Sequence, residues 1–166
     1  MLWDDPLLHI WVNNVIQNKD ELFIKHINQY KEVSTELKLV DNKSMEYLLS
    51  ISGYYKLLAR YNVITKYQQK NKIDKAIKYY KQYIKNIEKL IKVYRDMWYT
   101  NYKYNGFEII ESRLATQIYR AKEMIYLIKQ YNKGKITKID PLDEKISVND
   151  YIHIKYRGIF SSTILS

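Results

Sequence analysis

The stretch IDKAIKYYKQYIKNIEKLIKVYRDMW, residues 73–98, decides the fold. Ile73, Ile77, Tyr80, Ile84, Ile87, Ile91, Tyr94 and Trp98 recur at alternating four- and three-residue spacings without a miss. A strand would need period two; this pattern belongs to a helix with a seam of period 3.5 that packs against another helix. Lys75, Lys78, Lys81, Lys85, Lys89 and Lys92 fall off the seam, as solvated positions of such a helix should. The apolar stripe has to be buried, so the rest of the chain must supply helices to cover it.

C-terminal to this stretch, Asn105-Gly106 is a helix stop, and Gly106 is expected to take a positive φ in an inter-helix turn. A further helix then runs from about Phe107 to Tyr131, with Phe107, Ile110, Leu114, Ile118, Ala121, Ile125 and Ile128 on one face. Asn132-Lys133-Gly134 ends it. Two long antiparallel helices joined by a short turn make an αα-hairpin.

N-terminal to the seam, Ser44 caps a helix from Met45 to about Gln69, with a looser face of Leu48, Tyr55, Leu58 and Tyr61. Gly53 in its middle either weakens it or marks a close helix contact. Before that, Asn18 with Glu21 forms a capping-box pair for a helix reaching Val40. Phe23, Ile27, Tyr30, Val33, Leu37 and Val40 form its expected apolar face. Lys135–Ile139 and Tyr151–Tyr156 alternate polar and apolar residues and are expected to lie as short extended pieces along the bundle. The expectation is an all-α bundle of about four main helices with a short extended C-terminal tail. It forms one domain over 1–166: a leading segment (1–17), the helix bundle (18–134) and the tail (135–166).

Composition agrees. With 4 glycines and 2 prolines in 166 residues, turn-makers are too sparse for an all-β sandwich. There is no cysteine, hence no disulfide framework and no thiolate chemistry. No run approaches the ~18 apolar residues of a membrane span. The first residues lack the basic start of a secretory signal, so a soluble protein without a membrane partner is expected; the compartment is left open, with the cytoplasm favoured. The net charge of +10 is spread along every segment and reads as a solvated basic surface. A nucleic-acid partner is the weaker reading, because no helix-turn-helix, RNP or zinc-finger pattern accompanies the lysine-flanked tyrosines.

Catalytic motifs are missing. His9, His26 and His153 show no metal-ligand spacing, no Gly-x-Ser-x-Gly elbow is present, and no glycine-rich loop could cradle a phosphate. The carboxylate pairs Asp4-Asp5 and Asp143-Glu144 are better explained by loop solvation or a helix start than by acid–base work. No catalytic, cofactor-binding or metal-binding residue is expected in this chain.

One stretch does resemble a known family. WYTNYKYNGFEII (98–110), followed by Glu111, Arg113 and Arg120, is similar to a C-terminal signature of bacterial family-20 glycoside hydrolases, the β-N-acetylhexosaminidases. There a helix ends in a Trp, an Asn-Lys turn and a Gly, and the next helix opens on Phe-Glu before two arginines. LWDDPLL (2–8) resembles the segment by which such chains leave the catalytic barrel, and Lys56–Tyr67 resembles the preceding helix. This chain departs from the pattern in carrying Leu114-Ala115 where a glycine usually follows the first arginine, and Tyr102 where Asn usually precedes the Lys. The resemblance implies a parent enzyme that removes terminal N-acetylhexosamines with an Asp-Glu pair on a (β/α)8 barrel. It implies for this chain a non-catalytic C-terminal domain whose partner is that barrel, with a second copy of the chain as a further candidate partner. Trp98, Lys103, Gly106, Glu108, Arg113 and Arg120 are its structural and interface candidates. The rival expectations are a stand-alone basic helical protein that binds nucleic acid and an oligomerisation module unrelated to glycosidases.

Overall fold

The computed structural model describes Pro6, residues 20–102 and residues 105–143. Among them, four long helices follow one another: α1 (Asp20–Val40), α2 (Met45–Gln68), α3 (Asp74–Asn101) and α4 (Phe107–Asn132). A single turn, α5 (Asp140–Asp143), closes the described chain, and the described residues contain no strand. This is the all-α bundle expected from the spacing.

Consecutive helices pack together: α1 on α2, α2 on α3 and α3 on α4. The seam helix is therefore covered on two sides, and its buried stripe is wider than a two-helix seam. Ala76, Tyr80, Tyr83, Ile87 and Leu90 are at most 1% exposed, while Ile77, Ile84 and Ile91 sit half-buried on the flank. The lysines from Lys75 to Lys92 are exposed, as their spacing required. Each fully buried Ile, Leu or aromatic ring contributes roughly 1.5–3 kcal/mol over leaving it in water.

Capping follows local chemistry. The Ser44 hydroxyl accepts the Tyr47 N–H at 3.1 Å and starts α2. That helix stops as Lys70 turns to φ 53°, with Asn71 N–H bonded to Lys66 O and Lys70 N–H to Tyr67 O. The same closing motif ends α4 at Gly134, φ 67°. Asn132 ties the open end of the α3–α4 hairpin: its Oδ1 accepts the Ile73 N–H at 2.9 Å, and its Nδ2 donates to Asp74 at 3.0 Å.

Two expectations change. On α1, Val33 and Val40 are 47% and 85% exposed, and Ser34 takes the inward place. The inward register runs Phe23, Ile27, Tyr30, Ser34, Leu37, which holds a 3.5-residue period; Val33 lies about 100° off that line. A small residue at 34 lets α1 approach α2, and its hydroxyl is satisfied by Lys31 O at 3.0 Å. The second change is in the tail. Ile136 and Ile139 do pack back on the core, but residues 135–139 are irregular and lead into the turn of α5. Asn18 and the segment 151–156 lie outside the described residues.

Candidate functional site

Three of the residues expected to mark the site, Trp98, Gly106 and Glu108, meet at the turn between α3 and α4. Trp98, one turn before the end of α3, packs its ring against Tyr102 (centroids 4.7 Å apart), Tyr94 (6.3 Å) and Phe107 (6.4 Å). Tyr99 and Tyr94 reach the same Phe107 edge-on, at 5.6 and 6.2 Å. Such offset and edge-to-face pairs are worth about 0.5–1.5 kcal/mol each beyond area burial. Phe107 is 1% exposed and is the hub of this cluster.

Gly106 sits at φ 102°, the left-handed conformation its position demanded. Its N–H donates to Glu108 Oε2 at 2.8 Å, so Glu108 caps the start of α4 with its carboxylate as well as favouring the helix dipole. Arg95 lies over the Phe107 ring at 5.8 Å and pairs with Glu111 across the hairpin. This ion pair had no signal in the sequence, because its partners belong to different helices. Arg113 is exposed and Arg120 half-buried. Lys103 lies outside the described residues.

A second polar cluster was missed. Lys56 and Arg60, one turn apart on α2, are 1% and 0% exposed. Lys56 Nζ donates to Gln117 Oε1 at 2.8 Å and sits 5.5 Å from the centroid of the Tyr83 ring, whose hydroxyl donates to the same Gln117 oxygen at 3.1 Å. The signal was present: both cations stand in LLSISGYYKLLARYNVI (48–64), a helix with apolar residues all round, where an amphipathic helix would have shown a polar face.

His26 is hydrogen-bonded to Gln29 at 3.1 Å. Asp143 accepts the Tyr67 hydroxyl at 2.6 Å, and the same Tyr67 oxygen accepts the Ile139 N–H at 3.1 Å. Burial, then the bond to Asp143, pushes the Tyr67 phenol up to about 12, against a lowering by the Ile139 N–H. His9, His153, Asp4, Asp5 and Glu144 lie outside the described residues. Among the described residues, no group of three or more His, Cys, Asp or Glu could hold a metal ion, and no helix is long and apolar enough to cross a membrane.

The described residues thus hold an aromatic cluster at one end of the α3–α4 hairpin, an amide clasp at the other and a buried polar layer between. No curated protein and no solved structure matches the chain. The family model described as Glycoside Hydrolase 20C C-terminal domain matches residues 1–156, nearly the whole chain. The chain therefore belongs to the C-terminal domain family of the family-20 glycoside hydrolases.

Proposed function

We propose that this chain is a non-catalytic accessory domain of a β-N-acetylhexosaminidase-like enzyme, packing on the catalytic barrel and helping subunits associate. The observation that carries the reading is the family match across residues 1–156. The surface is compatible with it. Around the α3–α4 turn, Tyr99, Tyr102 and Ile109 are 40%, 60% and 43% exposed and adjoin the Phe107 cluster, so apolar surface continues outward from the core at that end. Aromatic residues of this kind are enriched at protein interfaces. On this reading Trp98, Gly106 and Glu108 shape the surface, and Arg113 and Arg120 are candidates to pair with carboxylates of the barrel.

The test is light scattering of the chain alone and mixed with a family-20 catalytic barrel encoded in the same genome. A complex with the barrel, weakened by Tyr102→Asp and Ile109→Asp, supports the reading. A chain that stays monomeric beside the barrel defeats it.

One observation favours a second reading, a basic helical protein that binds nucleic acid. The exposed lysines of α3 from Lys75 to Lys92 share the side of the helix turned from the core, over about 25 Å. Duplex binding whose affinity falls steeply with salt would support it. Binding that is absent at low salt would remove it.

A further inference from the structure

Asn105-Gly106 is the only Asn-Gly pair in the sequence, and it stands in the turn between α3 and α4. Such a pair carries a chemistry of its own. The backbone nitrogen of the glycine can attack the side-chain amide carbon of the asparagine and close a cyclic imide. Glycine has no Cβ, so it leaves that approach unhindered. The obstacle is the proton on the nitrogen. A peptide N–H is a very weak acid, and ring closure needs a base that takes the proton as the new bond forms.

The turn supplies that base. The Gly106 N–H donates to Glu108 Oε2 at 2.8 Å. A general base has to lie within about 2.6–3.2 Å of the atom that gives up the proton, and this carboxylate does. Gly106 is held at φ 102° immediately before α4, and Glu108 belongs to the first turn of that helix, so folding keeps the carboxylate on the nitrogen. Asn105 is exposed and Gly106 half-buried, so water reaches the pair.

We propose that Asn105-Gly106 is a self-modification site with Glu108 as its general base. The Gly106 nitrogen bonds to Asn105 Cγ, and its proton passes to the Glu108 carboxylate. The bond from Cγ to the side-chain nitrogen then breaks, and that nitrogen takes the proton from Glu108 and leaves as ammonia. Water opens the imide at one of its two carbonyls. One opening gives aspartate at 105; the other gives isoaspartate, with the main chain routed through the former side chain. Nothing is oxidised or reduced, and Glu108 ends as it began. Either product puts a new negative charge beside Glu108, and isoaspartate also lengthens the backbone of the turn by one carbon. The Trp98 ring packs against Gly106, so the change falls on the turn that carries the Phe107 cluster. This inference does not rest on the hexosaminidase reading, and each can fail without the other.

The test follows conversion in the full chain kept folded in warm neutral buffer. Trypsin releases residues 104–113 as one peptide, and chromatography with mass spectrometry separates its asparagine, aspartate and isoaspartate forms. A digest at time zero subtracts conversion during handling. In the folded chain Glu108→Gln should slow conversion by at least about tenfold. In urea, where the turn is lost, wild type and variant should convert at the same rate. Equal rates in the folded state overturn the proposal. A faster variant also overturns it, and would make the Gly106–Glu108 bond a shield for the amide. Should Glu108→Gln fail to fold, the wild type alone decides: it should convert faster folded than in urea, and slower conversion on folding overturns the proposal.

Discussion

The glycine at 106 and the indole of Trp98 are in contact across the α3–α4 turn: a Cβ at position 106 would lie 3.2 Å from Trp98 Cζ2. Two constraints therefore coincide there, the positive φ of 102° and the ring packed against the backbone. Gly106→Ala is expected to cost about 1–3 kcal/mol, because the strained backbone and the displaced ring add in the same direction. Urea unfolding followed by far-UV circular dichroism checks this, since the fluorescence of Trp98 would be mixed with that of Trp3 and Trp11. A midpoint equal to the wild type would mean that the turn accommodates a side chain.

Gly53 poses the opposite balance. An added Cβ would meet Tyr30 Cε1 at 2.5 Å, where α1 crosses α2. Alanine improves helix propensity by about 1 kcal/mol, while overpacking costs about 1–3 kcal/mol. Gly53→Ala should thus be net destabilising, and Tyr30→Ala in the same chain should turn it into a net gain. A double-mutant cycle measured by urea denaturation gives the sign directly.

Asn132→Ala removes two hydrogen bonds at once and leaves the Ile73 N–H, at the start of α3, without its acceptor. A loss of about 1–2 kcal/mol follows, comparable to deletion of a helix cap. Amide exchange should show it locally: Ile73 protection falls first, and Trp98-end amides stay protected. Uniform loss along both helices would contradict a local clasp.

Tyr67 makes stability depend on alkaline pH. Its phenol is raised from 10.0 to about 12, so the folded chain holds a proton that the unfolded chain releases in that window. The contribution is complete below pH 10 and is lost as pH rises from 10 towards 12. Tyr67→Phe should be less stable than wild type at neutral pH and should flatten this part of the profile, measured as the difference between the two proteins. Parallel profiles across that window would show that Tyr67 is not the group responsible.

Glu111→Gln should change stability by less than about 1 kcal/mol, although its bond to Arg95 spans two helices. Both side chains are about two-fifths exposed, at 42% and 40%, so solvent screens the pair. A larger loss in urea titrations would mean that Arg95 depends on Glu111 to stay over Phe107.

What could be read from the sequence follows from how many neighbours each helix has. The α3 and α4 stripes were legible because each helix keeps a solvated side: Lys75 through Lys92 on one, and Glu108, Arg113, Tyr119 and Tyr126 on the other. Gly106 and Gly134 were legible because only backbone conformation was at issue. By contrast, α2 has α1 on one side and α3 on another, so its apolar residues point in all directions and no single face could be drawn. That loss of periodicity also hid Lys56 and Arg60, whose charge suggests solvent although they are interior. On α1 Val33 was placed inward in place of Ser34, and Val40 was placed inward although it is exposed, because hydrophobicity was followed where closeness of approach decided the register. Within the site, Trp98, Gly106 and Glu108 could be placed from local pattern, while the Arg95–Glu111 pair required the hairpin to be closed first.

The hairpin is pinned at both extremities, by Trp98 and Gly106 at the turn and by Asn132 on Ile73 and Asp74 at the open end. Between these pins run α3, of 28 residues, and α4, of 26. Each residue adds about 1.5 Å, so the two helices behave as the matched rails of a ladder. Lengthening one rail by a turn moves a pin about 5 Å out of reach, beyond any hydrogen bond. Insertions and deletions in this family should therefore occur in both rails together or in neither, making the difference between their lengths the measure that persists even where the residues themselves drift.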